Sequence, residues 1–217
     1  MSRILTAALL IAFLAGCTGR IVPVESFAGS GNLVSRSYDL KGFSRIDANN
    51  SAQVEVTRGD AFSVNVEVDD NLESRLDVSV KGDTLYIGLK NGIYDKATLR
   101  AKVTMPTLTG VTLNGASTLG AVLAGEDVRV GLNGASVATL TGTAGRVTIT
   151  SNGAGQALLG GLAAGDVKVD ANGASHVELN TDGAVTGKAN GASVIIVSGS
   201  PTSVDVQTEG ASQVITR

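Results

Sequence analysis

The sequence predicts an all-β chain: a single-stranded β-solenoid, taken as a right-handed parallel β-helix, with irregular β rungs on its N-terminal side. Three observations predict it. The 217 residues are rich in Val, Thr, Ala and Ser and hold 28 Gly, three Pro and no Trp, a profile of many short strands and turns. A four-residue element recurs from residue 114 onward: Asn114-Gly-Ala-Ser117, Asn133-Gly-Ala-Ser136, Asn152-Gly-Ala-Gly155, Asn172-Gly-Ala-Ser175, Asn190-Gly-Ala-Ser193 and Glu209-Gly-Ala-Ser212, at spacings of 19, 19, 20, 18 and 19. Self-similarity at such a period marks a repeat architecture. Within each unit, two stretches alternate apolar and polar residues, the period of a strand with one face buried.

The first element is a leader. Met1-Ser2-Arg3 carries one positive charge, and Ile4 to Ala15 is an almost unbroken apolar run. Such a run is too short to cross ~30 Å of hydrocarbon and fits a signal-peptide core. It ends in Leu14-Ala15-Gly16-Cys17, which resembles the lipobox of bacterial lipoproteins. That resemblance implies cleavage after residue 16, acylation of Cys17 and attachment to the membrane through the N-terminal lipid. Residue 18 is Thr. An Asp there typically retains Gram-negative lipoproteins at the inner membrane, so the resemblance implies the outer membrane. Residues 17–32, ending Ala28-Gly-Ser-Gly-Asn32, read as the lipidated cysteine and its tether.

Residues 33–106 form an N-terminal β region, with strands expected near 34–40, 43–48, 53–58, 62–68, 76–81, 84–90 and 97–105. Turns fall at Arg58-Gly59-Asp60, Lys81-Gly82-Asp83 and Asn91-Gly92, and Asp69-Asp70-Asn71-Leu72-Glu73 is the one place for a short helical turn. Phe43, Phe62, Tyr86 and Tyr94 supply bulk with which this region closes one end of the coil. Composition leaves open whether it is a separate domain or a set of irregular rungs.

Residues 107–217 are the solenoid proper. One strand of each unit turns Leu119 and Ala121, Ala138 and Leu140, Ala157 and Leu159, Val177 and Leu179, or Ile195 and Val197 inward. The other turns Val128 and Val130, Val147 and Ile149, Val167 and Val169, Val185 and Gly187, or Val204 and Val206 inward. A two-strand unit of this length buries its apolar face only against its neighbours, ~4.8 Å away. Asn-Gly is also a strong hairpin signal, so a meander is the competing topology. The constant unit length favours the solenoid, which forces every rung to one circumference. The pairs Asn114-Gly115, Asn133-Gly134, Asn152-Gly153, Asn172-Gly173 and Asn190-Gly191, with Gly210, then read as structural corners needing φ > 0. Stacked Asn side chains are expected to hydrogen-bond from rung to rung. Asn50-Ser51-Ala52-Gln53 foreshadows the same turn out of phase.

Arg36-Ser-Tyr-Asp-Leu-Lys-Gly-Phe43-Ser-Arg-Ile46, Val64-Asn-Val-Glu-Val-Asp-Asp70-Asn-Leu72, Gly82-Asp-Thr-Leu85-Tyr-Ile87 and Met105-Pro106-Thr-Leu108, followed by small-residue turns, resemble the head GIN domain family of autotransporter adhesins over roughly residues 34–217. Asn-Gly-Ala-Ser stands where that family usually has Gly-Ser-Gly-like turns. The resemblance implies an exported, often lipidated β-helix with no established catalytic residues.

Candidate chemistry is sparse. His176, the only histidine, shares a solvent-facing column with Thr118, Val137, Gln156, Val194 and Gln213. One His and one Cys, the latter in the lipobox, leave no zinc ligand set and no base for a Ser or Cys nucleophile. No calcium-binding pattern occurs. No catalytic residue, metal or cofactor is expected. Outer-face charges stack as Asp127, Arg146, Asp166, Ala184, Ser203, then as Arg129, Thr148, Lys168, Thr186, Asp205, with Asp170 beside Lys188. This arrangement avoids like-charge neighbours. The mature balance, 16 basic against 20 acidic residues once Arg3 is lost with the leader, shows no basic block for nucleic acid. The expected function is a non-catalytic envelope lipoprotein, an adhesin-like binding or structural module meeting a glycan or envelope protein. The alternative is a β-helical carbohydrate-active enzyme using outer-face carboxylates. Gln213-Val-Ile-Thr-Arg217, about half a rung past the last turn, is expected to leave an uncovered edge suited to end-to-end self-association.

Overall fold

The computed structural model describes residues 25–217. The leader, Cys17 and the start of the tether lie outside the described residues.

In chain order the first strands are β1 (Ser26–Ala28), β2 (Leu33–Tyr38), β3 (Arg45–Ala48), β4 (Gln53–Arg58), β5 (Ser63–Asp69), β6 (Leu76–Lys81), β7 (Thr84–Leu89), β8 (Ile93–Asp95) and β9 (Leu99–Met105). A 3-10 helix at Asp70–Arg75 joins β5 to β6. The coil follows as β10 (Gly110–Leu113), β11 (Thr118–Ala124), β12 (Val128–Gly134), β13 (Val137–Ala144), β14 (Val147–Gly153), β15 (Gln156–Ala164), β16 (Val167–Gly173), β17 (His176–Thr181), β18 (Ala184–Gly191), β19 (Val194–Gly199), β20 (Ser203–Thr208) and β21 (Gln213–Thr216).

Even-numbered strands from β10 to β20 lie side by side in a nine-stranded sheet, and odd-numbered strands from β11 to β21 in a ten-stranded one. All of these neighbours pair in parallel, so each turn of the chain adds one strand to each sheet. This is a solenoid and not a meander. The inward columns read from the alternation are buried from Leu119 and Ala138 to Ile195 and Val197, except that Gly187 and Val206 are partly buried and Val204, on the edge strand β20, is exposed. Aliphatic and small side chains suffice because the two sheets face each other across a thin interior.

The N-terminal region belongs to the same core. Its strands stack out of chain order: the β3/β4 turn lies between the later β7/β9 turn and the β10/β11 turn. After β4 the chain runs back as β5, turns through the 3-10 helix into β6, and reverses at Gly82 into β7. β7 and β9 then fill the space beside β3 and β4 in parallel. Beyond them β6, β5 and β2 run antiparallel and close that end, with Leu72 buried beneath.

The 20-residue unit carries its extra length in β15, where the pairing to β13 and β17 shifts register around Gly160-Gly161-Leu162. The bulge keeps Leu162 inside, buried among the core residues. Within the segment read as a tether, β1 pairs in parallel with β8, a strand the sequence reading did not include.

Candidate binding surfaces

The corners carry a continuous side-chain ladder. Asn133 Nδ2 donates to Asn114 Oδ1 at 2.9 Å, Asn152 to Asn133 at 3.2 Å, Asn172 to Asn152 at 3.2 Å and Asn190 to Asn172 at 2.8 Å. Asn114 donates in turn to Asp47 Oδ1 at 3.1 Å, which also accepts from Asn49 at 2.8 Å. Every amide therefore donates toward the N-terminal end, and the chain of dipoles stops on a carboxylate. Gly115, Gly134, Gly153, Gly173, Gly191 and Gly210 follow in the left-handed region, with φ between 74° and 102°. A Cβ at Gly134 would meet the Gly115 carbonyl oxygen at 2.6 Å. Ser117, Ser136, Ser175 and Ser193 close the corner by donating to the carbonyl three residues earlier, at 2.8 to 3.0 Å. The pairing of Ala48 with Leu113 and of Gln53 with Thr118 puts Asn49 opposite Asn114. The early corner is thus Asn49-Asn50-Ser51-Ala52, one residue ahead of the sequence reading, with Asn50 in the glycine position at φ 58°.

The two outer faces differ in character. On the nine-stranded sheet the charges stack in the register read from the sequence, Arg129, Thr148, Lys168, Thr186 and Asp205 in one row. Asp127, Asp166 and Asp182 accept the backbone N–H of Arg146, Ala184 and Ser200, at 2.6, 3.0 and 3.1 Å. Asp170 lies 3.8 Å from Lys168, and Glu126 Oε2 takes the Ala124 N–H at 2.9 Å. Asp127, Asp166 and Asp182 thereby tie one turn to the next, as does Glu126 through Arg58 at 3.6 Å, while Asp170 pairs within its own strand. On the ten-stranded sheet the outward row is aliphatic toward the C-terminal side, with Leu158, Ile196 and Ile215 about the half-buried Glu178. His176 sits in its expected column, bonded through Nε2 to Glu178 Oε1 at 3.0 Å. Among the described residues no group of three His, Cys, Asp or Glu side chains is placed to hold a metal.

The closed end holds the segment 25–32 tightly. Phe27 stacks on Tyr94 with ring centroids 5.6 Å apart, and the Arg75 guanidinium lies 4.0 Å above the Phe27 ring. Asp69, fully buried, accepts the N–H of Gly31 at 2.7 Å and of Thr98 at 2.6 Å. At the other end of β2, burial raises the Tyr38 phenol above its ordinary range. Arg36 is raised through its hydrogen bond to Glu73.

Tyr86 corrects an expectation. It does not fill the interior: Leu85 and Ile87 do, both fully buried, and the alternation turns Tyr86 outward beside Asp47 of β3 and Ser79 of β6. There it lines a trough of about 500 Å³ where the lower end of the amide ladder meets the outer face. Asn49, Asn50, Asn91, Asp77 and Lys81 surround it, and the Lys81 ammonium lies 5.1 Å from the Tyr86 ring centroid. Strict period two across Leu85-Tyr86-Ile87 was the signal that could have placed it.

Comparisons with known proteins agree with this architecture. The family model described as "Putative auto-transporter adhesin, head GIN domain" matches residues 42–201. A protein described as a putative adhesin from Bacteroides fragilis NCTC 9343 superposes with a TM-score of 0.67 at 20% identity, covering 88% of this chain and 100% of that one. Two proteins from Parabacteroides distasonis ATCC 8503, described as a putative lipid binding protein and a putative adhesin, give TM-scores of 0.53 and 0.52 at 17% and 18% identity, each covering 89% of this chain and 100% of its own. At these identities the likeness is one of fold. No curated protein matches the sequence.

Proposed function

The chain belongs to the head GIN domain family, and from that premise we propose that it is a non-catalytic, adhesin-like binding module displayed on a rigid coil at the cell envelope. The observation that carries the reading is the state of the coil's carboxylates. Asp127, Asp166, Asp182 and Glu126 are spent on backbone N–H groups, and Asp170 and Glu178 lie against Lys168 and His176. A general acid and base need carboxyl groups facing a shared substrate position, and these six face their own scaffold, which leaves Asp205 and Glu209 exposed on the last turn. Contact surface is what remains: a charged face, an aliphatic face and a trough.

The anchor completes the proposal. Acylation at Cys17 holds the closed, N-terminal end at the membrane, in the outer membrane by the Thr at position 18. Labelled palmitate is expected to enter the protein, and Cys17→Ala to abolish both labelling and processing. Normal cleavage of an unlabelled wild type would remove the lipid from the reading.

The binding role is tested with cells displaying the protein, scored for retention on glycoprotein-coated surfaces against a deletion strain. The purified protein is incubated in parallel with pectin, alginate and chondroitin. Retention without release of reducing ends is expected. Accumulating reducing ends would favour the carbohydrate-active alternative.

A further inference from the structure

We infer that the trough beside Tyr86 is a binding subsite for one or two neutral sugar units, an inference that rests on the binding-module reading and gives it a ligand class. A pyranose presents two kinds of surface: a patch of C–H groups and a rim of hydroxyls that donate and accept. An aromatic ring takes the first, and fixed amide and carboxylate groups take the second.

The trough offers both. Of the six aromatic rings among the described residues, Phe27 and Tyr94 are stacked together and Phe43 packs on Phe62 at 4.8 Å. Tyr38 is half-buried on β2 in the cap. Tyr86 alone lines a polar depression. Around it the amides are held in place by bonds that leave part of their capacity unused. Asn50 Oδ1 accepts the Leu89 N–H at 2.9 Å, which fixes the side chain and leaves its two Nδ2 hydrogens. Asn49 donates one hydrogen to Asp47 at 2.8 Å and keeps its own carbonyl oxygen. Asp47 in turn is fixed by the last amide of the ladder, Asn114, at 3.1 Å. The coil therefore orients the hydrogen-bonding wall before any ligand arrives, which lowers the ordering cost of binding.

Backbone conformation gives an independent pointer. Asn50 and Ser51 both have φ of 58°, two successive side-chain-bearing residues in the left-handed region. In later turns the Asn50 position is held by glycine, as at Gly115 and Gly134. Strain of this kind persists where the surroundings hold it, here in part through the Leu89 N–H on Asn50, and it clusters at functional sites. Here it sits on the rim of the trough.

The charge balance selects neutral sugars. Asp77 and Lys81 face the trough as one acid and one base, so neither a uronate nor an amino sugar gains net attraction. A nucleotide would want a phosphate cradle, and a single lysine supplies little of one; the exposed Lys81 ammonium that lies over the Tyr86 ring must swing aside for a sugar to stack there.

The test is saturation-transfer NMR on the purified full chain with cellotriose, laminaritriose, mannotriose and chitotriose at millimolar concentration. At least one is expected to bind, with transfer concentrated on one or two rings. Tyr86→Ala should abolish the signal. Asn50→Gly is the discriminating variant: it relieves the left-handed backbone but removes the acceptor of the Leu89 N–H, two opposing effects that should leave the melting temperature little changed, while affinity falls several-fold. Loss of affinity with an unchanged circular dichroism spectrum separates the contact from a general loss of fold. Thr150→Ala, farther along the same sheet, should bind as wild type does. Absence of transfer from all four sugars overturns the inference, as does binding that survives both Tyr86→Ala and Asn50→Gly. If surface retention persists in either case, the binding-module reading stands and only this site fails.

Discussion

At the scale of single residues, the third corner shows how closely the repeat is fitted. Ser151 stands in the interior column of Leu132 and Ala171, and its hydroxyl is buried without a hydrogen-bond partner. Gly155 replaces the serine that closes the corner in the other Asn turns. A Cβ at Gly155 would lie 2.5 Å from Ser151 Oγ and 3.0 Å from Leu132 Cβ. The two departures from the repeat are therefore one event: the hydroxyl at 151 occupies space that the side chain at 155 gives up. An unsatisfied buried hydroxyl costs ~1–3 kcal/mol, so Ser151→Ala should stabilise by about 1 kcal/mol in urea melts. Gly155→Ser alone should destabilise by roughly 1–3 kcal/mol through overpacking. In the Ser151→Ala background that penalty should shrink by about 1 kcal/mol or more, since contacting residues couple. An equal penalty in both backgrounds would mean that Leu132 sets the clash and that Ser151 is unconnected to Gly155.

At the scale of elements, the short strand β1 is held by contacts that composition does not display. It is three residues long, pairs only with β8, and depends on the Phe27–Tyr94–Arg75 stack and on the buried Asp69 carboxylate beyond it. Hydrogen bonds to a charged group are worth ~1.5–3 kcal/mol. Asp69→Asn should therefore loosen residues 29–31 and 97–98 while the coil stays protected, as read by hydrogen exchange at Gly31 and Thr98. Uniform loss of protection through β12 to β19 would instead make Asp69 a residue of the global core. The same contrast explains what the sequence made legible. Inward positions such as Val147 and Ile149, the charged rows and the turn at Asp70–Arg75 were readable, because period two and fixed unit length set the register locally. β1 and β8 were not, since three residues show no period and their partners lie far along the chain. Nor was the insertion of β7 and β9 beside β3 and β4, which depends on tertiary pairing. The trough was hidden because Tyr86 reads as part of the bulk that closes the end of the coil, although the flanking Leu85 and Ile87 already turned it outward.

At the scale of the whole molecule, the two ends of the coil are unlike. One is closed by the antiparallel strands β2, β5 and β6. At the other, β20 and β21 are edge strands with no outer neighbour among the described residues, and Val204 and Ile215 are 37% and 36% exposed. Unpaired N–H and C=O rows beside apolar side chains form a template for pairing. Two copies meeting at this end about a two-fold axis would set their edges antiparallel and hide Val204, Val206 and Val214 together, a self-complementary contact. One feature opposes it. The amide ladder donates away from this end, and its next corner residue is Glu209, so both copies would present acceptors and negative charge to each other. The balance of these terms makes the expected association weak and sensitive to two changes of opposite sign. Glu209→Gln should strengthen it, by removing the repulsion and restoring an amide donor to the ladder. Val214→Lys with Ile215→Pro should abolish it and leave the earlier turns folded, as judged by unchanged circular dichroism. Sedimentation across a concentration series reads both. A wild type and a Glu209→Gln variant that stay strictly monomeric would show that the exposed edge is insulated by its charge, and end-to-end pairing would be dropped.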